Sequence, residues 1–307
     1  MTTIRTTTEI VQRARRLGLA IPGFNIPYLP MMAPVVQALR DTNCLGLIMV
    51  ARLEWIKFAA GSLRAIRDEY ERVKDEQFTR LHLDHVPVID EDRERVDYLA
   101  VIREALALGY QSVMIDGSRL ALAENIAASR AVVQLAHATG VAVEGELGAV
   151  LGHEAGPLPP YEELFRSGQG FTDPQEAARF AQETGVDWLS VAVGSVHGAI
   201  SAAHKDQPKI AARLSLPRLQ QIYQATQVPL VLHGGTGIRQ ADVRAAIQHG
   251  IAKINIATAI RQPYEQAARV SVTHGQAAVY QAVCRLIREE LAIENSRSRI
   301  LPPEINP

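Results

Sequence analysis

Three histidines follow short apolar runs of the sequence, each at the point where its run ends. They are His85, His197 and His233. Imidazole is the commonest metal ligand in proteins, and three histidines around an ion with one open position are typical of catalytic zinc sites. Because these histidines lie far apart in the chain, they can bind one ion only if the fold brings the ends of their runs together.

The last of these histidines begins a glycine-rich segment that could bind a phosphate group. The segment is His233-Gly234-Gly235-Thr236-Gly237. Glycines allow backbone N–H groups to approach an anion closely, and the threonine adds a hydroxyl donor. Asn255 and Thr258 follow the next apolar run, and we expect them to complete the same pocket. These residues therefore predict an anion site beside the metal site.

Short apolar runs alternate with longer amphipathic segments along the chain, and this alternation predicts strands followed by helices. The predicted strands are Leu19–Ile26, Cys44–Val50, Arg80–Leu83, Ser112–Ile115, Val141–Leu147, Asp187–Val193, Val228–Leu232 and Ala252–Ile256. Several are almost continuously apolar, which is typical of parallel strands buried on both faces. Such units predict an α/β fold, a single (β/α)8 TIM barrel. The alternative, an open doubly wound sheet, is disfavoured because no G-x-G-x-x-G motif follows the first strand.

A barrel of this kind would bring the candidate site residues together, because the active sites of such barrels lie at the carboxyl ends of the strands. His85, His197 and His233 would then meet at one mouth of the barrel. His82 lies two residues before Asp84 in the third strand, so both side chains leave the strand on the same face. We interpret His82 as a residue that supports the site rather than as a metal ligand.

The predicted helices complete the barrel and extend it at both ends. They are Glu9–Leu17, Met31–Arg40, Ile56–Val73, Arg93–Leu108, Leu120–Ala138, Pro174–Glu183, Leu216–Ala225 and Gln240–Gln248. We expect one domain over residues 1–307, with the barrel over about 18–265, a short N-terminal helix, and a C-terminal helical extension over about 266–307. Gly148–Thr172 and Val196–Ser215 are predicted to be long loops, which in a compact domain usually serve a function.

Charge and composition disfavour several classes of partner. The 307 residues include 32 Lys and Arg against 33 Asp and Glu, and the net charge of −1 gives no reason to expect nucleic acid or an anionic membrane. No apolar run reaches the roughly 18 residues that span a bilayer, and residues 1–8 lack the apolar core of a secretory signal. We therefore expect a cytoplasmic protein in which Cys44 and Cys284 are reduced thiols.

Seven segments of the chain occur in the order found in a known enzyme family. They are Gly23–Ile26, His82–His85, Ser112–Ser118, Glu146–Gly148, Gly194–Gly198, Leu232–Gly237 and Lys253–Thr258. On these segments the sequence resembles the class II, metal-dependent ketose-bisphosphate aldolases, the family of fructose- and tagatose-bisphosphate aldolases. Because Ala257 stands where one branch has Asp, the resemblance is stronger to the tagatose type. It implies reversible cleavage of a phosphorylated ketose, a ketose 1,6-bisphosphate or a related sugar, to dihydroxyacetone phosphate and an aldehyde.

The resemblance also implies how metal ions are bound. One catalytic Zn²⁺ would be held by His85, His197 and His233. Asp116 and Glu146 match positions that bind a second divalent or monovalent cation in some members of the family. We expect a Lewis acid at this point, because cleavage of the carbon–carbon bond leaves negative charge on substrate oxygens.

The remaining site residues are implied in the same way. Asp84 would move the proton of the hydroxyl at the bond that breaks, and Glu154, in a mobile loop, would exchange the proton at the carbon. The residues implied in substrate binding are Asn25, Gly198, Lys205, Gly234, Gly235, Thr236, Asn255, Ala257 and Thr258. A homodimer or homotetramer is expected from the family.

Two segments depart from the pattern of the family. Ala51–Trp55 replaces a stretch that is small or hydroxyl-bearing in many members, and Val86–Arg93 has the character of an insertion at the barrel mouth. Neither segment removes a predicted metal ligand or proton-transfer residue. We therefore expect aldol chemistry on a substrate whose aldehyde portion is altered.

Two other functions are compatible with the sequence. A Schiff-base aldolase needs a lysine nucleophile in the barrel, and Lys253, in the eighth predicted strand, is the plausible candidate. A barrel subunit that only stabilises a catalytic partner is the second alternative. It is disfavoured because such a protein should have lost some of its ligands, whereas the three histidines and Asp84 are present.

Overall fold

Eight parallel strands form a closed barrel in the computed structural model of the protein, which describes residues 6–148, 160–195, 212–235 and 238–302. The strands are β1 (Ile21–Asn25), β2 (Gly46–Ala51), β3 (Thr79–Pro87), β4 (Ser112–Asp116), β5 (Ala142–Leu147), β6 (Trp188–Val191), β7 (Leu230–Leu232) and β8 (Ile251–Ile256). They pair in chain order, and β8 closes the barrel against β1. The predicted α/β barrel is confirmed. Among the strand residues only His85 and Asp116 are partly exposed.

Helices follow the strands around the outside of the barrel. They are α1 (Thr7–Arg16), α2 (Met32–Asp41), α3 (Arg52–Lys57), α4 (Leu63–Val73), α5 (Tyr98–Ala107), α6 (Leu122–His137), α7 (Tyr161–Ser167), α8 (Pro174–Thr184), α9 (Leu216–Thr226), α10 (Gln240–Gln248), α11 (Thr258–Ala268), α12 (Val272–Arg285) and α13 (Ser296–Ile300). A π-helical turn, Leu286–Glu290, extends α12. In the described ranges, no helix combines the length and the apolar character that crossing a bilayer requires.

The predicted helix Ile56–Val73 is wrong in its extent. The chain forms α3 directly after β2 and then a separate helix, α4. Gly61, with φ of +84°, lies between the two helices. The hydroxyl of Ser62 then caps α4 by accepting a hydrogen bond from the backbone N–H of Ala65.

Other predicted elements also differ from the structure. The predicted helix Arg93–Leu108 begins only at Tyr98, because Arg95 forms an isolated bridge with Ile89. The predicted loop Gly148–Thr172 contains α7 in its described part. In addition, α11 begins at Thr258, directly after β8. This helix therefore starts before the predicted C-terminal extension, which was expected from about residue 266. The predicted loop Val196–Ser215 falls largely outside the described residues.

The amino end of the barrel is filled by apolar side chains. Met49, Trp188 and Val231 lie in one buried cluster with residues of α1 and with Ile300 of α13. Thr7, at the start of α1, donates a hydrogen bond to the backbone carbonyl that precedes β4. Because α1 closes this end of the barrel, polar chemistry is left to the carboxyl ends of the strands, where TIM barrels place their active sites.

A glycine between α10 and β8 provides a test of this packing. Gly250 has φ of +105°, and a Cβ atom added there would overlap the ring of Tyr223 in α9. Gly109 has a similar φ of +81°, but no atom lies within 4 Å of its added Cβ. We expect Gly109→Ala to cost about 1 kcal/mol from backbone strain alone, and Gly250→Ala to cost about 3 kcal/mol because the clash adds to it.

Thermal unfolding of the two variants checks this expectation. At about 2 °C per kcal/mol for a chain of this size, Gly250→Ala should lower the midpoint by about 6 °C and Gly109→Ala by about 2 °C. Equal midpoints for the two variants would contradict the packing of α9 against the start of β8.

Candidate active site

The third strand carries an extra residue at the point where two predicted site residues, Asp84 and His85, lie. Between its pairings through Leu83 and Val86, β3 uses three residue steps where β4 uses two. His85, inside this bulge, has φ of +34°, which is unusual for a residue other than glycine. Neighbouring side chains of a regular strand face opposite sides, whereas a bulge redirects one of them. The bulge therefore lets Asp84 and His85 face the same site.

Three side chains meet where β3 and β7 end. Nε2 of His85 lies 2.7 Å from Nδ1 of His233, and the two rings are nearly perpendicular. One ligand atom from each of Asp84, His85 and His233 lies within 4.8 Å of the others. Two imidazoles are donors that suit zinc and related divalent metals, and the neighbouring carboxylate adds favourable negative charge. The residues present therefore fit a bound transition-metal ion.

A second group of possible ligands shares His85. Nδ1 of His85 lies 3.4 Å from Oδ2 of Asp116 and 3.6 Å from Oε2 of Glu146. Oε2 of Glu146 is buried and has no hydrogen-bond partner. Burial, reinforced by the nearby charge of Asp116, raises the pKa of Glu146 well above its usual value. A buried carboxylate oxygen that accepts no hydrogen bond, beside a second carboxylate, is a favourable place for a cation.

The electrostatic potential of this region favours positive charge. Burial lowers the pKa of His85, but Asp84, Asp116 and Glu146 outweigh burial and raise it to about 10. The carboxylates around this imidazole thus favour positive charge at the site. A divalent cation satisfies the same potential, since metal binding replaces protons on its ligands.

Asp84 is held by two amide side chains. Nδ2 of Asn25 donates to one carboxylate oxygen and Nδ2 of Asn255 to the other, each at 2.9 Å. Burial raises the pKa of Asp84, but the charges of His85 and Lys253 outweigh it and lower the pKa to about 2. Asp84 is therefore an ionised, oriented hydrogen-bond acceptor, as a residue that takes a proton must be.

A carboxylate for which the sequence predicted no role lies beneath His233. Glu144 is fully buried in β5, and its Oε1 is 2.8 Å from Nε2 of His233. Its Oε2 accepts hydrogen bonds from Trp188 Nε1 and from Lys253 Nζ, both at 2.6 Å. The available signal was the spacing of Glu144 and Glu146, which places both side chains on the same face of the strand.

Lys253 is engaged in this network. Its ammonium group has no exposure, pairs with Glu144, and lies 3.4 Å from Nε2 of His82. His82 in turn hydrogen-bonds through Nδ1 to the hydroxyl of Ser112. A Schiff-base nucleophile must be a neutral amine that substrate can reach. A buried, ion-paired ammonium is poorly suited to that role.

The two segments that depart from the family pattern contact each other. Arg52, at the start of α3, pairs with Asp90 at a distance of 3.4 Å. In the same helix, Oε2 of Glu54 accepts a hydrogen bond from the backbone N–H of Ala51 at 2.8 Å and lies 3.4 Å from Nδ2 of Asn25. Because Asn25 also binds Asp84, this rim adjoins the candidate proton-transfer residue.

The described residues that are predicted to bind an anion lie at the ends of β7 and β8. Gly234 has φ of +67°, and a Cβ added to Gly235 would lie 3.1 Å from the backbone oxygen of Asn255. Ala257 precedes α11, and Thr258 is its first residue. The free N–H groups at the start of a helix attract anions, so this arrangement suits a phosphate.

Five predicted site residues lie outside the described ranges. They are Glu154, His197, Gly198, Lys205 and Thr236. Their roles stay predictions. The residues that the structure brings together are therefore Asp84, His85 and His233, with Asn25 and Asn255 around Asp84. Asp116 and Glu146 lie beside His85.

Comparison with known proteins is consistent with this geometry. The family model described as class-II fructose-bisphosphate aldolase matches residues 5–297. A protein of Bacillus subtilis (strain 168) named "Probable fructose-bisphosphate aldolase" is 32% identical over 256 residues, which are 82% of this chain and 80% of that protein. The crystal structure of the YdjI aldolase from Escherichia coli K12 has a TM-score of 0.68 and 25% identity, with 96% of each chain covered.

A third relative shows the likeness of fold alone. The crystal structure of a fructose-bisphosphate aldolase from Campylobacter jejuni has a TM-score of 0.72 at 20% identity, with 94% of each chain covered.

The carboxyl of Glu54 predicts a pH dependence of stability. Burial, opposed by the hydrogen bond from Ala51, raises the pKa of Glu54 from 4.5 to about 8. Between these values the folded protein keeps a proton that the unfolded chain releases, so this group lowers stability as pH rises. We expect Glu54→Gln to gain stability relative to the wild type from pH 5 to pH 8, because glutamine has no proton to lose.

The measurement is the thermal midpoint of chelator-treated protein across this pH range. Glu104→Gln, at an exposed position of α5, is the matched control and should differ from the wild type by a constant amount. A constant difference for Glu54→Gln as well would contradict the buried neutral carboxyl.

Proposed function

Because the chain belongs to the class II fructose-bisphosphate aldolase family, we propose that it is a metal-dependent aldolase that reversibly cleaves a phosphorylated ketose to dihydroxyacetone phosphate and an aldehyde. As a member of this family it is an aldolase, a carbon–carbon lyase. The observation that carries the metal-dependent mechanism is the convergence of Asp84, His85 and His233 at the mouth of the barrel.

We propose His85, His197 and His233 as the ligands of a catalytic Zn²⁺. His85 and His233 present ring nitrogens to each other at 2.7 Å, and two described imidazoles at a strand-end site match the donor type that zinc prefers. When bound, the ion supplies the positive charge that stabilises negative charge on the substrate oxygens during cleavage. Asp116 and Glu146 are the proposed ligands of a second cation, which His85 adjoins.

Asp84 is the proposed base for cleavage. Its carboxylate is ionised, and Asn25 and Asn255 hold its two oxygens in place. Asp84 takes the proton from the hydroxyl at the carbon whose bond breaks and returns it in the reverse reaction. Glu154 is the proposed group that exchanges the proton at the carbon of the dihydroxyacetone phosphate portion.

The two ends of the substrate would contact different parts of the mouth. The phosphate of the dihydroxyacetone portion fits the anion site formed by Gly234, Gly235 and the start of α11 at Thr258. The aldehyde portion would lie toward Asp84 and the rim that carries Arg52 and Glu54. Because this rim departs from the family pattern, we propose that it selects an aldehyde portion different from that of the common substrates.

A panel of phosphorylated ketoses that differ in the aldehyde portion tests this function. We expect at least one member of the panel to release dihydroxyacetone phosphate, and we expect a chelator to abolish the release. Adding Zn²⁺ back should restore it. Activity that survives complete metal removal would support the Schiff-base alternative through Lys253. A protein that binds zinc but cleaves no ketose would support a non-catalytic subunit.

Two substitutions separate metal binding from proton transfer. We expect Asp84→Asn to keep its metal but to lower kcat by about 10²- to 10⁴-fold, because the amide cannot take a proton. His233→Ala should lose the metal, because a ligand is removed. Metal content and kcat are the measurements, and His274→Ala, on α12, is the control for removal of a histidine outside the site. Retention of metal by His233→Ala would refute the proposed ligand set.

A further inference from the structure

Glu144 occupies a position from which it can set the orientation of one proposed ligand. It has no exposure, and its two oxygens have different partners. Oε2 faces the indole N–H of Trp188 and the ammonium of Lys253, each at 2.6 Å. Oε1 faces Nε2 of His233 at 2.8 Å. The carboxylate therefore connects a fixed pair of donors to one edge of the imidazole.

The donor and acceptor properties of these groups indicate which ring nitrogen of His233 carries the hydrogen. Indole and ammonium groups only donate hydrogen bonds, and an ionised carboxylate only accepts them. With Lys253 and Trp188 both donating to Oε2, the carboxylate of Glu144 offers its remaining oxygen as an acceptor. Nε2 of His233 must then carry the hydrogen. Nδ1 is left with its lone pair, and it points at His85, the other described histidine of the site.

One neighbour favours the opposite arrangement. Nδ2 of Asn255 lies 3.1 Å from Nε2 of His233, and an amide that donates there would place the hydrogen on Nδ1 instead. The contact with Glu144 is shorter, at 2.8 Å, and it is charge-assisted, which makes such a bond about twice as strong as a neutral one. The amide of Asn255 also donates to Asp84 at 2.9 Å. The contact with Glu144 is therefore the stronger one, and it favours the hydrogen on Nε2 of His233.

We propose that Glu144, held by its ion pair with Lys253, is a positioning residue that keeps His233 in the Nε2–H tautomer and so directs the Nδ1 lone pair toward the metal. The proposal rests on the proposed function, because it assumes that His233 is a ligand. It gives Lys253 a role that does not depend on Schiff-base chemistry: its ammonium compensates the buried charge of Glu144. Partners of this kind usually change metal affinity by about 10- to 100-fold.

Glu144→Gln gives a sharp test, because the amide has one oxygen and one NH₂ group. Lys253 and Trp188 will retain the oxygen of the glutamine, so its NH₂ group will face Nε2 of His233. That nitrogen must then accept. The hydrogen moves to Nδ1, where it blocks the proposed metal lone pair and donates to Nε2 of His85, which must give up its own hydrogen. We expect the tautomer of His233 to invert, and the affinity for zinc to fall about 10- to 100-fold.

The tautomer is measured on chelator-treated full-length protein with ¹⁵N-labelled histidine, by long-range ¹H–¹⁵N correlation. The signals of His233 are those missing from the His233→Ala spectrum. Zinc affinity is measured separately, by competition with a chelator of known affinity. The tautomer measurement needs neither metal nor activity. A wild-type protein that cleaves no ketose would therefore contradict the proposed function, whereas the tautomer measurement would still test the role of Glu144.

Trp188→Phe is the matched control. It removes one donor from Oε2 of Glu144 and leaves the contact with His233 in place. We expect it to lower the thermal midpoint, because a large buried side chain becomes smaller, while the tautomer stays unchanged and zinc affinity stays within about threefold. If affinity instead followed thermal stability in both variants, Glu144 would be a structural residue and the proposal would be overturned.

A double variant covers the case in which Glu144→Gln does not fold. Glu144→Gln combined with Lys253→Met removes both buried charges, which is often tolerated when the volume is kept. Trp188 still donates to the glutamine oxygen, so the tautomer of His233 should invert in this variant too. A folded double variant with wild-type tautomer and wild-type zinc affinity would overturn the proposal.

Discussion

A buried ion pair connects the packed half of the barrel to the half that carries the candidate site. Removing a carboxylate or an ammonium group from water costs several kcal/mol unless each finds a partner. Glu144 and Lys253 meet this requirement with each other, and Trp188 adds a second hydrogen bond from the apolar cluster below. His233 lies directly on this pair. The upper half of the barrel can therefore be polar without leaving buried charge uncompensated.

The extra residue in β3 allows two consecutive side chains to face the site and to contact different partners there. Asp84 turns toward the amides of Asn25 and Asn255, while His85, the next residue, turns toward His233 and Asp116. In a regular strand one of these two neighbours would face outward, into the surrounding helices. The left-handed backbone of His85 is the local consequence of placing both in one site.

The net charge of the chain is small, but the charge around His85 is strongly negative. The net charge is −1, yet Asp84, Asp116 and Glu146 surround His85 closely enough to raise its pKa to about 10. A cation can be attracted to such a site without any general excess of acidic residues. At the other side of the mouth, backbone N–H groups at the start of α11 suit an anion. Groups that suit a cation and groups that suit an anion thus belong to separate elements of one barrel.

Local patterns in the sequence were sufficient to predict the barrel. Parallel strands buried on both faces must be apolar along their length, so runs such as Leu230–Leu232 are visible without any knowledge of their neighbours. The residues just after such runs, among them Asp84, His85 and His233, could be assigned to one mouth because strand ends converge in this fold. The break between α3 and α4 was missed, because the positive φ of Gly61 depends on where the chain must turn.

How side chains meet across the barrel depends on long-range contacts that no local pattern reveals. Nothing near Glu144 in the sequence indicates that Trp188, Lys253 and His233 converge on it, because they come from different strands and their distances depend on barrel closure. The bulge at His85 is likewise set by the pairing of β3 with β4. The sequence alone determined which residues reach the mouth, since burial and strand ends are local properties. Their hydrogen-bond partners, and with them the charge and orientation of each group, were decided by the closed barrel.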